Sequence, residues 1–163
     1  RKGIAKPVHI KAIRDYLVNI YKAKIVKNIE ADDALGLKQN SNTMICSIDK
    51  DLLMCEGNHY NFVKKTFTNV TKKQGTEFFY QQMLTGDSAD NIVGIRGLGN
   101  VKAKKILNNT LRKNWDNMII DRYIEEFGYD EGRNRCVQNS QLLWILQKNK
   151  QMPMDFSYEQ IQK

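Results

Sequence analysis

Apolar and polar positions alternate differently in the two halves of the chain. Residues 8–23, VHIKAIRDYLVNIYKA, set Val8, Ile10, Ile13, Leu17, Ile20 and Tyr21 at three- and four-residue spacings, which predicts an amphipathic helix entered after Pro7. KIVKNI, residues 24–29, reads as a short strand ending at Glu30. ADDALGLKQ, residues 31–39, reads as a helix whose acidic first turn suits the positive end of its macrodipole. After the polar turn NSN, the apolar run TMICSI, residues 43–48, predicts a buried parallel strand that stops at Asp49. This strand, helix, strand order is a right-handed βαβ unit. It would bring the acids at the carboxyl ends of both strands to one sheet edge, where open α/β sheets bind ligands. Residues 60–71 supply a further strand or a hairpin.

From about residue 75 the periodicity becomes helical. GTEFFYQQML, residues 75–84, places Phe78, Phe79 and Leu84 along one side, and NVKAKKILNN, residues 100–109, is short and basic. NWDNMIIDRYIEEFG, residues 114–128, and GRNRCVQNSQLLWILQKN, residues 132–149, are longer amphipathic helices. Their Trp115, Phe127 and Trp144 read as core residues rather than as platforms for stacked bases. The tail after Pro153 reads as a fraying end. The pattern contains no internal repeat.

Composition narrows the classes. A length of 163 residues with 41% hydrophobic positions and two prolines suits a compact domain or part of a larger protein. Cys46, Cys55 and Cys136 show no C-x-x-C spacing, which argues against a disulfide framework or a zinc site and for a reducing compartment. No window approaches the roughly 18 uninterrupted apolar residues of a membrane span. The first residues, RKGIAKPVHIK, lack the apolar run of a signal peptide, and Arg1 in place of Met reads as a chain that continues upstream. The expectation is a soluble cytoplasmic protein, in the host cytoplasm if its source is viral. Lys and Arg number 26 against 18 acids, a formal net charge of +8, which points to a polyanionic partner such as nucleic acid.

The acids are not scattered evenly. Glu30, Asp32 and Asp33 form one group, Asp49 and Asp51 in SIDKDLL a second, and Asp87 and Asp90 in LTGDSADNI a third. Each alone has an ordinary reading as helix-start charges, a strand-end turn or an Asx-turn. Together, on one sheet edge, they would repel: two carboxylates 4 Å apart cost roughly 4 kcal/mol at an effective dielectric of 20. Divalent cations relieve that repulsion, and oxygen donors without His or Cys favour Mg²⁺ or Mn²⁺ over Zn²⁺. With those seven acids set apart, the other 11 leave an excess of fifteen positive charges on the remaining surface. An acidic pit in a basic body suits metal-dependent phosphodiester chemistry.

GIRGLGNVKAKKIL follows the third group. Gly94, Gly97 and Gly99 do not match the dinucleotide-binding fingerprint, and no strand-like segment directly precedes them. They permit a tight hairpin with outward N–H groups, and the next helix offers its N-terminus with Lys102, Lys104 and Lys105 to a phosphate. Such a site grips backbone without reading bases.

In this order, EADDALG, SIDKDLL and GDSADNIVGIRGLGNVKAKKIL resemble the motifs of the 5′ nucleases: bacteriophage 5′–3′ exonucleases, flap endonucleases and the 5′-nuclease domain of bacterial DNA polymerase I. The likeness covers roughly residues 28 to 108, is carried by phage-type and bacterial members alike, and points to the C-terminal part of a phage-type member. It implies an α/β fold: a PIN-like parallel sheet core, incomplete at the N-terminus, over residues 1–74, then a mainly helical region, 75–163, with a helix-three-turn-helix. It further implies a metal-dependent phosphodiester hydrolase acting near 5′ ends or 5′ flaps of DNA, and on RNA–DNA primer junctions, as a monomer away from membranes.

By position, the resemblance assigns Glu30, Asp32 and Asp33 to the first of two divalent cations and to the boundary between them. Asp49, Asp51, Asp87 and Asp90 serve the second, some through water. Arg96, Gly97, Gly99, Asn100, Lys102, Lys104 and Lys105 would grip the uncleaved strand, with K⁺ held by the hairpin carbonyls. The opening helix resembles the descending end of the family's helical arch, with Lys2, Lys6, Lys11 and Arg14 as its remnant. Two earlier metal-binding aspartates of the family have no counterpart in residues 1–29, where Asp15 is the sole acid; upstream sequence or a separate N-terminal piece would supply them. The alternative reading is a non-catalytic helix-hairpin-helix DNA-binding module with an incomplete metal pocket. A third, another Mg²⁺-dependent phosphohydrolase, leaves the glycine hairpin unexplained.

Overall fold

In the computed structural model the described residues are 7–148 and 152–154. The arch-remnant lysines Lys2 and Lys6, and all of the tail beyond Met154, lie outside them. Helix α1 (Ile10–Asn19) and helix α2 (Ala31–Lys38) precede a small sheet of β1 (Met44–Cys46), β2 (Gly57–Asn61) and β3 (Thr66–Val70). Helix α3 (Lys72–Thr85) leads to a two-stranded ribbon, β4 (Gly86–Asp87) and β5 (Ile92–Val93), and then to α4 (Asn100–Asn109), α5 (Trp115–Phe127) and α6 (Tyr129–Leu143). The class is mixed α/β with a parallel strand pair followed by helices. Among the described residues no helix is long and apolar enough to cross a membrane.

The sheet differs from the expected βαβ unit. Residues 24–29 form no strand: Ile25 and Val26 are exposed, and left-handed backbone at Lys22 (φ 57°) and Asn28 (φ 64°) interrupts the extended run at both ends. The parallel pairing is instead β1 with β2, Met44 opposite Asn58, reached through a 3₁₀ turn at Asp51–Met54. The hairpin expected over residues 60–71 forms between β2 and β3. The opening helix is shorter than its pattern and buries no residue; Tyr16 and Tyr21 meet edge to face while the apolar stripe remains exposed. A two-residue strand, β5, does precede the glycine segment. It pairs antiparallel with β4, which carries Asp87.

One core joins both halves. Ile45, Leu52 and Met54 from the sheet side pack with Phe79, Tyr80, Met83 and Leu84 of α3, and with Ile119 and Tyr123 of α5. Trp115 is buried, with Phe127 and Trp144 packed against the same cluster, Trp144 just beyond the end of α6. The Tyr123 hydroxyl donates to the Met83 carbonyl and accepts from Asn139, so α5, α6 and α3 share a satisfied polar contact inside the core. Helix α3 starts with a capping box: the Thr71 hydroxyl accepts from the Gln74 amide and the Gln74 side chain accepts from the Thr71 amide.

The first turn of α3 rests directly on the 3₁₀ turn. A Cβ at Gly75 would lie 2.3 Å from the Met54 carbonyl oxygen, a backbone atom that cannot step aside. Gly75→Ala is therefore expected to lower the unfolding free energy by about 1–3 kcal/mol despite alanine's better helix propensity. Urea denaturation read by circular dichroism checks this.

Candidate metal centre and nucleic-acid surface

The second and third acidic groups meet. Past β1, the Ser47 hydroxyl accepts the Asp49 amide and the Asp49 carboxylate accepts the Asp51 amide, both at 3.0 Å, so Asp49 shapes the turn that presents Asp51. Asp87 reaches the same place from the end of α3, and is 4% exposed. Its Oδ1 accepts the Ala89 amide at 2.7 Å, and the Asp90 amide also bonds to the carboxylate, while Asp90's own side chain faces solvent. Between the two carboxylates sits an ammonium: Lys50 Nζ is 2.6 Å from Asp87 Oδ2 and 3.3 Å from Asp51 Oδ1. Gln82, buried on α3, donates through Nε2 to Asp51 at 2.6 Å.

The charges follow from these contacts. The hydrogen bond from Lys50, against the opposing effect of burial, holds Asp87 below the usual carboxylate range. Burial pushes Asp51 up, and the negative charges of Asp87 and Asp49 add to it against the pull of Lys50. Burial would lower Lys50, yet its hydrogen bonds and the charges of Asp87 and Asp51 carry it above its ordinary value.

Several observations test whether this place fits a hard divalent cation. The carboxylate donors are all oxygen, and a cationic nitrogen already occupies the point where Asp51 and Asp87 converge. Gln82 Oε1 is buried without a hydrogen-bond partner, an acceptor suited to the hydration shell such an ion keeps. Mg²⁺ is usually held by one or two carboxylates with waters and substrate phosphates completing the shell, so the pair fits.

The first acidic group makes different contacts. Asp33 Oδ1 accepts the Leu146 amide at 2.9 Å, and Asp32 accepts the Asp33 amide at 3.0 Å. Gly36 lets the chain come close: a Cβ there would lie 2.3 Å from the Leu146 carbonyl oxygen. Glu30, Asp32 and Asp33 line a hollow of about 530 Å³ with Asn28, Gln141 and Trp144, and none of Asp49, Asp51 and Asp87 shares it. Among the described residues, no three His, Cys, Asp or Glu side chains are grouped to hold one ion. Glu30, Asp32 and Asp33 thus line a hollow of their own and take no part in the contacts that join Asp51 to Asp87. The strand expected at 24–29, which was to deliver Glu30 to the sheet edge beside Asp49, does not form.

The glycine segment forms a turn leading into α4. Gly94 has no room for a side chain, because a Cβ would lie 2.3 Å from the Gly86 nitrogen, and the Ile95 amide bonds to Leu84. Gly97 adopts φ 72°, and a Cβ at Gly97 or Gly99 would meet nothing within 4 Å, so this face is open to an approaching backbone. Gly99 caps α4 without a side-chain bond. Lys102 donates to the Gly97 carbonyl at 3.1 Å, Asn100 accepts from Gln81, and Arg96 lies 3.5 Å from Glu126. Lys104 and Lys105 are exposed. Arg122 joins Lys102 and Lys105 around a hollow of about 380 Å³, and Lys72, Lys73 and Arg112 border another of about 670 Å³.

Sequence reasoning missed Lys50, Gln82, Arg112 and Arg122. Lys50 had a local signal, since it is the cation enclosed by two acids in DKD; the other three are set by tertiary packing.

No family model matches the chain. It is 31% identical over 170 residues to a 5′-3′ exonuclease of Mycoplasmopsis pulmonis, an alignment covering 91% of this chain and 56% of that protein. It is 32% identical over 158 residues to a DNA polymerase I of Borreliella burgdorferi, covering 82% of this chain and 17% of the polymerase. The chain thus spans little more than half of the exonuclease and a small part of the polymerase. Its fold resembles that of the T5 D15 protein, in a crystal structure obtained with metal ions, with a TM-score of 0.61 at 17% identity, over 87% of this chain and 64% of that one.

The Lys50 bridge has a pH signature. Asp87's lowered pKa contributes stability that is present above its ordinary 3.8 and is lost as pH falls through the folded value. Lys50's raised pKa contributes stability that is complete below its ordinary 10.5 and is lost as pH rises through the folded value. Lys50→Met should destabilise the metal-free protein by about 1–2 kcal/mol near neutral pH, a penalty that shrinks at both extremes. Thermal melts of both proteins across pH measure it.

Proposed function

Because the chain belongs to the 5′ nuclease family, we propose that it forms part of a divalent-metal-dependent, structure-specific 5′ nuclease. Its substrate is DNA near a 5′ end or 5′ flap, RNA–DNA primer junctions included, and its place of action is the cytoplasm. The observation that carries this reading is the meeting of Asp51 and the buried Asp87 at a single cation-binding point, with the unpaired Gln82 oxygen beside it.

In this reading Asp51 and Asp87 hold Mg²⁺ or Mn²⁺, with Asp49 and Asp90 at the edge of the same site. Glu30, Asp32 and Asp33 form the second carboxylate group and serve a second ion. Bound there, divalent cations supply a nucleophile at neutral pH and neutralise charge developing on the phosphate. The chain's own residues do the rest. Gln82 fixes Asp51 through a hydrogen bond, and the Ala89 and Asp90 amides fix Asp87. Gly97, Gly99 and the uncapped start of α4 receive a phosphate, with Arg96, Asn100, Lys102, Lys104 and Lys105 around it, and K⁺ a further ion at the turn carbonyls. Residues 1–74 then correspond to the nuclease core and 75–163 to the DNA-gripping region, although their apolar side chains share one core.

A second reading is a DNA-binding module that does not cut, favoured by the absence, among the described residues, of three grouped His, Cys, Asp or Glu side chains. Cleavage distinguishes the two. With Mg²⁺ or Mn²⁺, the protein carrying all flanking sequence of its reading frame should cleave a 5′-flap DNA. Asp87→Ala should reduce cleavage by at least about a thousandfold with DNA binding retained. Intact cutting by that variant sinks the nuclease reading, and binding without cutting by the unaltered protein supports the module.

The grip on DNA has its own test. Replacing Lys102, Lys104 and Lys105 with alanine should weaken binding uniformly across sequences and reduce the slope of log K against log salt by roughly one for each phosphate no longer neutralised. Fluorescence anisotropy over a salt series reads this directly.

A further inference from the structure

The Asp51–Asp87 pair is already bridged by a cation that the chain itself supplies. Asp87 spends Oδ1 on the Ala89 amide and meets Lys50 with Oδ2, while Asp51 Oδ1 is shared between Lys50 and Gln82. The two partners differ in access: the Lys50 side chain is 61% exposed and that of Asp87 3%. The carboxylate is fixed inside, whereas the ammonium comes from outside on a flexible stem that can turn toward solvent. An ammonium and a divalent ion cannot share the point between the same two oxygens, because like charges there repel at short range.

On the reading that this pair binds the metal, we infer that Lys50 is a resident counter-ion of the centre. It holds Asp51 and Asp87 together in the metal-free protein, and a divalent cation must displace it to bind. Lys50 therefore weakens intrinsic metal affinity while stabilising the empty site. Once displaced, its ammonium remains on the exposed rim.

Mn²⁺ titration followed by the electron paramagnetic resonance of the free ion tests this on the wild type, Lys50→Met, Lys50→Arg and Asp87→Asn. Lys50→Met should bind Mn²⁺ tighter by about tenfold or more, ~1.4 kcal/mol, while Lys50→Arg, which keeps the charge, binds no tighter than wild type. Equal or weaker binding by Lys50→Met, with binding abolished by Asp87→Asn, overturns the counter-ion role and leaves the metal site standing. Mn²⁺ binding that ignores Asp87→Asn, or no binding by any of the proteins, overturns both. A measurement on the wild type covers poor folding of Lys50→Met. The ¹⁵Nζ signal of Lys50, protected by its carboxylate partners, should fade on Mg²⁺ addition. Its persistence while the Asp87 carboxylate ¹³C signal shifts overturns the inference.

Discussion

A carboxylate buried at the end of a helix requires a positive partner, and the architecture around Asp87 is organised by that requirement. Removing a carboxylate from water costs several kcal/mol unless charge and hydrogen bonds replace the missing hydration. Asp87 obtains backbone amides from its own turn and an ammonium from Lys50, which lies on a different segment. The bond between them ties the loop after β1 to the end of α3. It also sets Asp51 beside Asp87, a like-charged neighbour that the same ammonium makes tolerable.

Helix α3 makes that meeting possible. Its capping box fixes where it starts, the side-chain-free Gly75 seats it on the Met54 carbonyl, and Phe79, Tyr80, Met83 and Leu84 lock its buried face into the core. Gln82 and Asp87 are delivered to the Asp51 turn by the same helix, so the site inherits the rigidity of the core. Another part of α3 is anchored differently. There Arg112 stacks over Tyr80 and Trp115, and the Tyr80 hydroxyl donates to Asp116. Beyond α3, the turn at 94–99 leads to α4, placing a basic helix start in the same continuous stretch of chain as Asp87.

Much of this is legible in the sequence because it rests on local patterns. The helices from residue 75 to Leu143, the hairpin read over 60–71 and the turn at Gly97 announce themselves through periodicity and glycine placement, whereas the helical reading of 144–148 fails because α6 ends at Leu143. The pairing of the second and third acidic groups is also legible, since helix length constrains where Asp87 has to fall. The segment 24–29 misleads because Ile25 and Val26 have the composition of a strand but pair with no strand among the described residues, something composition does not encode. The expectation that sets Glu30 and its companions beside Asp49 rests on that same strand. Asp33 instead binds the Leu146 amide, a contact across 113 positions that no local pattern announces. Lys50 belongs by charge to the basic surplus, whereas it lies within the acidic centre.

The central claim is that Asp51 and Asp87 form a cation site in which a divalent ion replaces the Lys50 ammonium. Anomalous diffraction from crystals grown with Mn²⁺ examines it at the atoms concerned. The account predicts a peak within ~2.1–2.3 Å of carboxylate oxygens of both residues, with Lys50 turned away toward solvent. Manganese peaks confined to other acids, with Lys50 still bridging the pair, would contradict it.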